Sequence, residues 1–471
     1  MRGDTLSVGE RLAIKRVAMP ELDPAQRSSN FKEVNLGLAE EQAVREAQRC
    51  LQCKSTPCID GCPVQIDIPG FIGAIAERHF AKAVEILQRD NALPAVCGRV
   101  CPQEVQCESR CVLGRKDNPV AIGYLERFVA DWALRHDLRL NSLTLPGSSG
   151  KNVAVIGCGP AGLTAAAELA VKGHSVKIFE ALHDTGGVLR YGIPEFRLPK
   201  DIIDSEVSRL LNLGVEIECN VVVGKTITLG TLRDEFDAVF IGNGAGLPVM
   251  LGIPGENLKG VYSANEYLTR VNLMGAGQTP DCATPILRGR NVAVIGGGNT
   301  AMDCVRVARR LGAERAMLVY RRTESEMPAR VEEVKHAKEE GIELLVLAAP
   351  LEVVGDDNGW TMGLTCQKME LGEPDASGRR RPIPITGETF YLEADVVINA
   401  LGTQANPLLT ATEPELSLNK WKNITADENG ATSLPRVFAG GDIVRGGATV
   451  ILAMGDGKKA AAAIHSMLNS E

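Results

Sequence analysis

Hydrophobic and polar positions change their spacing near residue 150. Before it, apolar residues recur at helical spacing, most clearly over residues 39–50 (AEEQAVREAQRC) and 69–90 (PGFIGAIAERHFAKAVEILQRD). Beyond it, short apolar runs alternate with alanine-rich helical stretches. Residues 139–151 (RLNSLTLPGSSGK) separate the two patterns and are typical of a linker, since they are rich in Ser, Gly and Pro. The chain is therefore predicted to join a mostly helical N-terminal part to an α/β part.

Two stretches beyond the linker share one plan of strand, glycine turn, helix and second strand. They are residues 151–180 (KNVAVIGCGPAGLTAAAELAVKGHSVKIFE) and 291–322 (NVAVIGGGNTAMDCVRVARRLGAERAMLVYRR), about 140 residues apart. Residues 238–246 (AVFIGNGAG) predict a further strand between them. A βαβ unit of this kind places parallel strands in one sheet and offers its turn to a dinucleotide. The pattern therefore predicts two nucleotide-binding domains on parallel sheets.

In the first turn, Gly157, Gly159 and Gly162 have the G-x-G-x-x-G spacing. Such glycines permit a tight turn, a close approach of the pyrophosphate and close packing of helix on strand. The helix N-terminus then faces the phosphates. Glu180 ends the second strand, where a carboxylate accepts a hydrogen bond from a ribose hydroxyl. The alternative is a glycine-rich structural turn, but the surrounding strand, helix and acid favour a dinucleotide site.

The second turn has Gly296 and Gly298, with an alanine at the third position. Its second strand ends in Arg321 and Arg322 instead of an acid. An acid at this place favours NAD and repels a 2′-phosphate, whereas arginine favours NADP. The second site is therefore predicted to bind NADP. Arg330 is a weaker candidate for the same contact, and the alternative for the arginine pair is a solvated loop.

The C-terminal part assigns a flavin to the first site. Residues 437–442 (VFAGGD) resemble the late strand of flavoprotein reductases, whose Asp meets the ribityl and pyrophosphate region of FAD. Because this strand belongs with the first unit, the first site is expected to hold FAD. The NADP unit is then predicted to be an insertion in the FAD domain.

Length, charge and hydropathy indicate the number of domains, the kind of partner and the location of the protein. A chain of 471 residues predicts two or three domains. A net charge of −8 argues against nucleic acid as a partner. No apolar run reaches membrane-spanning length, and the start MRGDTLSVGERLAIKRV lacks the apolar core of a signal peptide. A cytoplasmic location without membrane attachment is expected.

The N-terminal cysteines are expected to carry electrons away from the flavin. Many flavoproteins of this plan reduce a disulfide placed either just after the acid of the FAD unit or as a C-x-x-C pair in the NADP unit. Here residues 180–200, which begin with that acid, contain no cysteine, and Cys304 stands alone in the NADP unit, so another route is needed. The 6 histidines form no H-x-x-x-H or similar pair, so no hydrolytic or metal site competes. Hydride transfer between cofactors requires no side-chain acid or base, and we predict no catalytic side chain.

Eight of the 13 cysteines lie between residues 50 and 111. The first four have the spacing C-x₂-C-x₄-C-x₃-C, and the last four have C-x₃-C-x₅-C-x₃-C, with a proline after one cysteine of each group. Structural disulfides are not expected in the cytoplasm. Zinc, which remains the alternative, would favour two separated C-x₂-C pairs. Closely strung cysteines with one just before Pro are typical of [4Fe–4S] ligation.

These motifs together resemble one protein family, over almost the whole chain. The resemblance is carried by CGRVCPQE (97–104), GIPEFRLPK (192–200), GGGNTAMDC (296–304), GEPDASGRRRP (372–382) and AGGDIVRG (439–446). The family is that of the small (β) subunit of NADPH-dependent glutamate synthase. The large subunit of the bifurcating NADH-dependent ferredoxin:NADP oxidoreductase belongs to it, and the N-terminal half of dihydropyrimidine dehydrogenase is similar.

The resemblance implies ligands for two [4Fe–4S] clusters. One set is Cys50, Cys53, Cys58 and Cys111, and the other contains Cys62, Cys101 and Cys107. The second set is one ligand short. Cys97 lies where some relatives lack cysteine, and Glu126 matches a position where dihydropyrimidine dehydrogenase supplies a glutamine. We hypothesise that Glu126 is the missing ligand; the alternative is four cysteines per cluster, with Glu126 a charge on a helix surface.

The motifs and the resemblance together give the positions expected to line the nucleotides. Those for FAD are Gly157, Gly159, Pro160, Ala161, Gly162, Glu180, Gly187, Leu189, Arg197, Gly441, Asp442 and Thr449. Those for NADP are Gly296, Gly297, Gly298, Asn299, Thr300, Arg321, Arg322 and Gly402, the last in the stretch Asn399 to Gly402.

The parts predict an oxidoreductase that takes hydride from NADPH onto FAD and passes single electrons through the clusters to a partner. The chain has no amidotransferase nucleophile at its start and no room for an FMN barrel, so a second redox subunit in a hetero-oligomer is expected. The leading hypothesis is the glutamate synthase small subunit. The alternatives are the large subunit of the bifurcating oxidoreductase and a non-enzymatic cluster scaffold, which two intact nucleotide sites disfavour.

The predicted fold class is α/β, with a helical iron–sulfur domain ahead of two Rossmann-like domains. The predicted boundaries are residues 1–148 for the helical domain, 149–288 for the first part of the FAD domain, 289–400 for the NADP domain and 401–471 for the second part of the FAD domain.

Overall fold

A computed structural model describes residues 6–116, 118–138, 147–279, 282–376 and 378–470. Residues 139–146, most of the predicted linker, lie outside these ranges. No helix in the described part of the chain combines the length and the apolar character needed to span a bilayer.

The N-terminal part is helical, as its apolar spacing predicts. Its α-helices are α1 (Val8–Ala13), α2 (Pro24–Arg27), α3 (Glu40–Ala47), α4 (Pro57–Asp60), α5 (Ile68–Ala76), α6 (Phe80–Asp90), α7 (Pro94–Val100) and α8 (Ile122–Arg135). Short 3₁₀ helices lie between α7 and α8, at Gln103–Val105, Glu108–Arg110 and Val112–Arg115.

The apolar spacing over residues 69–90 produces two helices, α5 and α6. Arg78 between them has φ of +61°, a left-handed conformation that cannot continue a right-handed helix. The chain reverses there, so that Phe71 of α5 and Leu87 of α6 are buried in one core.

The first βαβ unit lies in a five-stranded parallel sheet. Its order is β15–β4–β1–β2–β3, with β1 (Asn152–Ile156), β2 (Ser175–Phe179), β3 (Glu216–Glu218), β4 (Ala238–Ile241) and β15 (Val437–Ala439). The accompanying helices are α9 (Pro160–Ala170), α10 (Val188–Tyr191), α11 (Lys200–Leu211), α12 (Leu229–Glu235), α17 (Asp442–Arg445) and α18 (Val450–Leu468). Val153 and Val155 of β1 are fully buried, as expected when helices and loops cover both faces of a parallel sheet.

The second βαβ unit lies in a second five-stranded parallel sheet. Its order is β6–β13–β7–β8–β9, with β6 (Val261–Ser263), β7 (Asn291–Ile295), β8 (Arg315–Tyr320), β9 (Glu343–Val346) and β13 (Val396–Asn399). Its helices are α13 (Ala264–Asn272), α14 (Asn299–Arg310) and α15 (Val331–Glu339), with a 3₁₀ helix at Glu324–Glu326 and α16 (Pro407–Thr410) after the sheet. The chain passes from the first sheet to the second through β5 (Leu247–Pro248) and returns through β14 (Thr403–Gln404). These two short strands pair antiparallel.

The second sheet interrupts the first in chain order. β4 precedes it and β15 follows it, yet these two strands are neighbours, with Val239 opposite Val437. The prediction that the second unit is inserted in the first domain is therefore confirmed. The second sheet also contains β6, so it begins ahead of the predicted boundary at residue 289.

An antiparallel meander between β9 and β13 was not predicted from the sequence. It consists of β10 (Ala348–Gly355), β11 (Thr361–Pro374) and β12 (Arg380–Glu393). Leu364 and Cys366 of β11 pack against the second sheet at Ala293 and Val397. The meander thus covers part of the second sheet, and its tip carries the segment GEPDASGRRRP.

Candidate cofactor and electron-transfer sites

Four cysteines of the helical domain surround one cavity, which we call the outer cavity. They are Cys50, Cys53, Cys58 and Cys111. Cys58 lies in α4, the two before it lie in the loop that leads from α3 to α4, and Cys111 lies between two 3₁₀ helices. All four are partly exposed. The structure thus brings the first predicted ligand set together near the surface.

Three cysteines and a carboxylate surround a second cavity, which we call the inner cavity. They are Cys62, Cys101, Cys107 and Glu126. Cys62 follows α4, Cys101 is the first residue after α7, and Glu126 projects from α8. All four are buried. Ile68 and Ile122 line both cavities, which are therefore neighbours.

The separation of the ligand atoms favours a cluster over a zinc ion. A tetrahedral zinc with Zn–S bonds of about 2.3 Å would bring the sulfurs within about 3.8 Å of one another. Within the described residues, the one group of three or more possible ligand atoms lying within 4.8 Å of one another is Glu21, His336 and Glu339, which contains no cysteine. Sulfurs that surround a cavity instead of converging on a point fit a four-iron cluster.

Burial disfavours the ionised form of one thiol at each cavity, Cys58 at the outer and Cys62 at the inner. Burial raises the pKa of Cys58 to about 12 and that of Cys62 to about 11. Thiolates are the ligands of iron–sulfur clusters, and the iron ions supply the positive charge that keeps them ionised. The residues present therefore fit metal ligation better than they fit free, reactive cysteines.

Glu126 is a wall of the inner cavity and not a charge on a helix surface. It is 5% exposed, and one of its oxygens accepts a hydrogen bond of 2.7 Å from Asn91 Nδ2. Burial raises the pKa of this carboxyl to about 8. Asn91 engages Oε1, and no hydrogen bond to Oε2 is made among the described residues, so Oε2 is available to a metal.

Cys97 does not line the inner cavity, although its side chain is hydrogen-bonded to that of Cys101, which does. Its Sγ is 3.4 Å from Met454 Sδ and 3.7 Å from Asn91 Oδ1. Cys97 is inside α7, whereas Cys101 has left the helix with φ −60° and ψ 137°. Cys97 therefore lies beside the inner ligand set, but it is not among the residues that form the cavity wall.

The first glycine turn has the geometry that a dinucleotide requires. Gly157 has φ of +98°, and a Cβ on Gly162 would lie 1.9 Å from the Gly157 carbonyl oxygen, so neither position accepts another residue. A Cβ on Gly159 would meet nothing within 4 Å, so this side of the turn is open. Glu180 is fixed next to the turn, because its carboxylate accepts hydrogen bonds from the N–H groups of Cys158 at 2.7 Å and Leu182 at 2.8 Å.

Other positions predicted for FAD gather around this turn. A Cβ on Gly187 would lie 3.0 Å from Gly159 Cα, and its φ is +54°. Gly441 has φ of +78° and precedes Asp442, whose carboxylate accepts from Ala448 N–H at 3.2 Å. Burial raises the pKa of Asp442 to about 6. The remaining positions are Pro160 and Ala161 at the start of α9, Leu189 in α10 and Thr449 at the N-cap of α18.

Arg197 is held by acids of the second sheet's helices. Its guanidinium contacts both oxygens of Asp303 in α14, at 2.8 and 2.9 Å, and lies 3.1 Å from Glu333 in α15. These charges are buried together. Arg197 therefore joins the two nucleotide domains, and a contact with FAD stays a prediction.

The second glycine turn is equally open. Gly296 has φ of +145°, and a Cβ on Gly297 would lie 2.6 Å from the Tyr320 ring. The nearest atom to a Cβ on Gly298 would be Pro328 Cγ at 4.0 Å. Asn299 and Thr300 begin α14, and Gly402, with φ of +103°, lies in the loop after β13 with open space beside it. The buried Asn399 donates to Val249 O at 2.7 Å and fixes the start of this loop.

The structure separates the two arginines at the end of β8. Arg321 is exposed, and its side chain makes no hydrogen bond or ion pair within the described residues. Arg322 is buried, pairs with Asp375 at 2.6 Å and donates to Arg380 O at 2.7 Å. Arg321 is therefore available to bind a phosphate, whereas Arg322 would first have to break its contacts with Asp375 and Arg380.

Several residues at the inner cavity were missed from the sequence. Ile451 of α18 is part of its wall, and Lys458 of the same helix donates to Val64 O at 3.3 Å and Asp90 O at 2.7 Å. Gln103 also lines the cavity and accepts from Arg330 Nη2 at 3.1 Å. Gln103 could have been found as the residue between two predicted ligands, but no local signal marks Ile451. The inner cavity thus lies where the helical domain meets both nucleotide domains.

The fold and these sites define a class: an FAD- and pyridine nucleotide-dependent oxidoreductase with an iron–sulfur domain. The family profile described as dihydropyrimidine dehydrogenase domain II, 4Fe-4S cluster, matches residues 27–138. The profile of the pyridine nucleotide-disulphide oxidoreductases matches residues 151–457. The chain therefore belongs to the pyridine nucleotide-disulphide oxidoreductase family and, with the relatives described next, to the group that contains the glutamate synthase small chains.

Curated relatives and solved structures agree with this assignment. The glutamate synthase [NADPH] small chain of Escherichia coli (strain K12) is 37% identical, over 98% of this chain and 99% of that one. The NADP(+)-dependent formate dehydrogenase subunit beta of Moorella thermoacetica is 41% identical over 88% of this chain, which spans 60% of that relative. The structure of Mycobacterium tuberculosis FprA in complex with NADPH has a TM-score of 0.58 at 21% identity, covering 68% of this chain and 85% of that one, and supports the fold of the two nucleotide domains.

Proposed function

We propose that the chain is the electron-input subunit of an NADPH-dependent glutamate synthase. The proposal is supported by end-to-end agreement with glutamate synthase small chains from three organisms, each covering at least 94% of both proteins. It is supported further by the inner cavity, which lies between the nucleotide domains and the outer cavity. Its partner would be the large chain of the same enzyme, in a hetero-oligomer in the cytoplasm.

Each nucleotide has its own group of residues in this proposal. The turn at Gly157 to Gly162, with Glu180 and Asp442, would hold FAD, and the turn at Gly296 to Thr300 would hold NADP(H). When bound, these groups and the clusters supply hydride and single-electron chemistry, and the protein supplies position and surroundings. The chain's residues bind, orient and exclude water from them.

The two cavities would hold one [4Fe–4S] cluster each. Cys50, Cys53, Cys58 and Cys111 would ligate the outer one, and Cys62, Cys101, Cys107 and Glu126 the inner one. Because α18 of the FAD domain contributes Ile451 to the inner wall, the inner cavity adjoins the flavin side. The partly exposed outer cavity is then where electrons would pass to the partner.

The second function considered from the sequence, the large subunit of a bifurcating NADH-dependent ferredoxin:NADP oxidoreductase, is not favoured over this proposal. The two can be separated by reconstitution. Mixed with a glutamate synthase large chain, the protein should support NADPH-dependent glutamate formation. No glutamate formation, together with NADH-driven ferredoxin reduction when a small flavin and [2Fe–2S] subunit is added, would reverse the assignment.

The preference for NADPH is proposed to depend mainly on Arg321. Hydrogen bonds to charged groups contribute about 1.5–3 kcal/mol. Arg321→Ala should therefore weaken NADPH binding at least about 10-fold, since 1.4 kcal/mol is tenfold, and should leave NADH almost unchanged. Arg322→Ala is the matched variant, and because Arg322 already pairs with Asp375 it should affect NADPH less. Steady-state kinetics with both donors decide, and an equal loss for NADPH and NADH would remove Arg321 from 2′-phosphate recognition.

A further inference from the structure

A short segment ahead of α15 is attached to the second glycine turn. The N–H of Ala329 donates to Gly297 O at 3.2 Å, and the N–H of Arg330 donates to Asn299 Oδ1 at 2.9 Å. Gly297 and Asn299 belong to the turn that is proposed to hold NADP(H). A change in this turn therefore reaches Arg330 through its own backbone.

The side chain of Arg330 extends the other way, into the helical domain. Its guanidinium donates to Arg99 O and to Gln103 Oε1, both at 3.1 Å. Two carboxylates balance its charge, Glu332 at 3.2 Å and Glu104 at 3.6 Å. Arg330 is only 7% exposed, so these contacts are made without competition from bulk water.

Gln103 carries the contact to the inner cavity. It lies between Cys101 and Cys107 in the chain and forms part of the cavity wall. Its Nε2 donates to Cys97 O at 3.3 Å, and a Cβ on Gly123 would lie 2.2 Å from the same atom, so the amide is closely packed. The guanidinium of Arg330 therefore holds a side chain that borders the inner ligand set.

We infer that Arg330 is a positioning residue that couples the NADP(H) turn to the inner cavity, so that nucleotide binding changes the reduction potential of the inner cluster. The inference rests on the proposed function of both sites. By linkage, the same coupling makes NADP⁺ bind with different affinity to the oxidised and the reduced protein. The buried pair of Arg197 with Asp303 also joins domains, but neither residue lines the inner cavity.

The test is a redox titration of the purified holoprotein, followed by electron paramagnetic resonance, with and without saturating NADP⁺. In the unaltered protein, NADP⁺ should shift the inner cluster's potential by an amount equal to at least about a 5-fold difference in NADP⁺ affinity between the two redox states. Arg330→Met should abolish this dependence, and Arg330→Lys should retain part of it. Arg315→Met is the matched control, because Arg315 pairs with Glu343 on the same sheet and away from the cavity, and it should retain the full shift.

A second variant guards against a folding defect. Gln103→Met removes the acceptor of Arg330 and leaves the turn contact intact, and it should abolish the shift in the same way. An unaltered protein without the shift, or an Arg330→Met protein that keeps it in full, would overturn the inference. NADP⁺ affinity of the oxidised protein and its iron content are measured separately. If the unaltered protein binds no NADP⁺ or contains no iron, the proposed function itself is refuted, and the coupling with it.

Discussion

The inner and outer cavities share the walls formed by Ile68 and Ile122, yet they differ in exposure and in ligands. The outer cavity has four partly exposed cysteines, whereas the inner one has three buried cysteines and a buried carboxylate. One small helical frame therefore offers two different environments. Burial, net charge and ligand type are the quantities that set the potential of a cluster.

The comparison gives the direction of electron flow a physical basis. A buried site disfavours an added negative charge more than an exposed one does. A carboxylate is also a harder ligand than a thiolate and stabilises the oxidised iron. The inner cluster is therefore expected to have the lower potential, so that passage from the inner to the outer cavity is downhill.

The largest expected effect comes from removing one ligand of each set. Cys53→Ala should lose the outer cluster and Cys62→Ala the inner one, so that each protein holds about four irons per chain in place of about eight. Metal analysis of anaerobically purified protein measures this. Cys97→Ala is the matched control and should keep the full iron content, because Cys97 contacts Cys101 but lines neither cavity. Zinc in place of iron would refute both assignments.

A smaller effect is expected from exchanging the carboxylate. Glu126→Gln keeps the size of the side chain and the possibility of a contact with Asn91 while it removes a negative charge. The potential of the inner cluster should rise, and that of the outer cluster should stay the same. Redox titration of both clusters decides. If Glu126→Gln changes nothing and Cys97→Ala destroys a cluster, each cluster has four cysteine ligands.

The smallest effect concerns access from solvent. Mild treatment with ferricyanide should bleach the cluster of the outer cavity first, because its four cysteines are partly exposed and those of the inner cavity are not. Timed samples examined by electron paramagnetic resonance give the order. Simultaneous loss of both signals would mean that the difference in exposure does not govern reactivity.

Most of what could be predicted depends on the spacing of residues close together in the chain. The first and third glycines of the first turn, Gly157 and Gly162, and Gly296 of the second have the positive φ or the close approach that the pattern requires, because a tight turn is encoded by neighbours in the chain. The two ligand sets were implied by a family resemblance, and the cavities gather the same residues. The apolar alternation likewise predicted the two parallel sheets.

The features that could not be predicted depend on contacts between residues far apart in the chain. Ile451 and Met454 reach the inner cavity region from α18, far along the chain, and no motif records this. Arg321 and Arg322 are equivalent in the sequence, yet Asp375 of the unpredicted meander engages only the second. Cys97 looks like a ligand in its C-x₃-C pair, but it lies within α7, contacts Met454 of α18 as well as Cys101, and does not line the cavity.

The most direct test of the account uses the protein that lacks the inner cluster. The central claim is that electrons from NADPH reach the outer cavity only by way of the inner one. In Cys53→Ala, NADPH should reduce the remaining inner cluster at the rate seen in the unaltered protein. In Cys62→Ala, NADPH should reduce the flavin but leave the outer cluster oxidised, as followed by freeze-quench electron paramagnetic resonance. Reduction of the outer cluster in Cys62→Ala at the unaltered rate would contradict the proposed route.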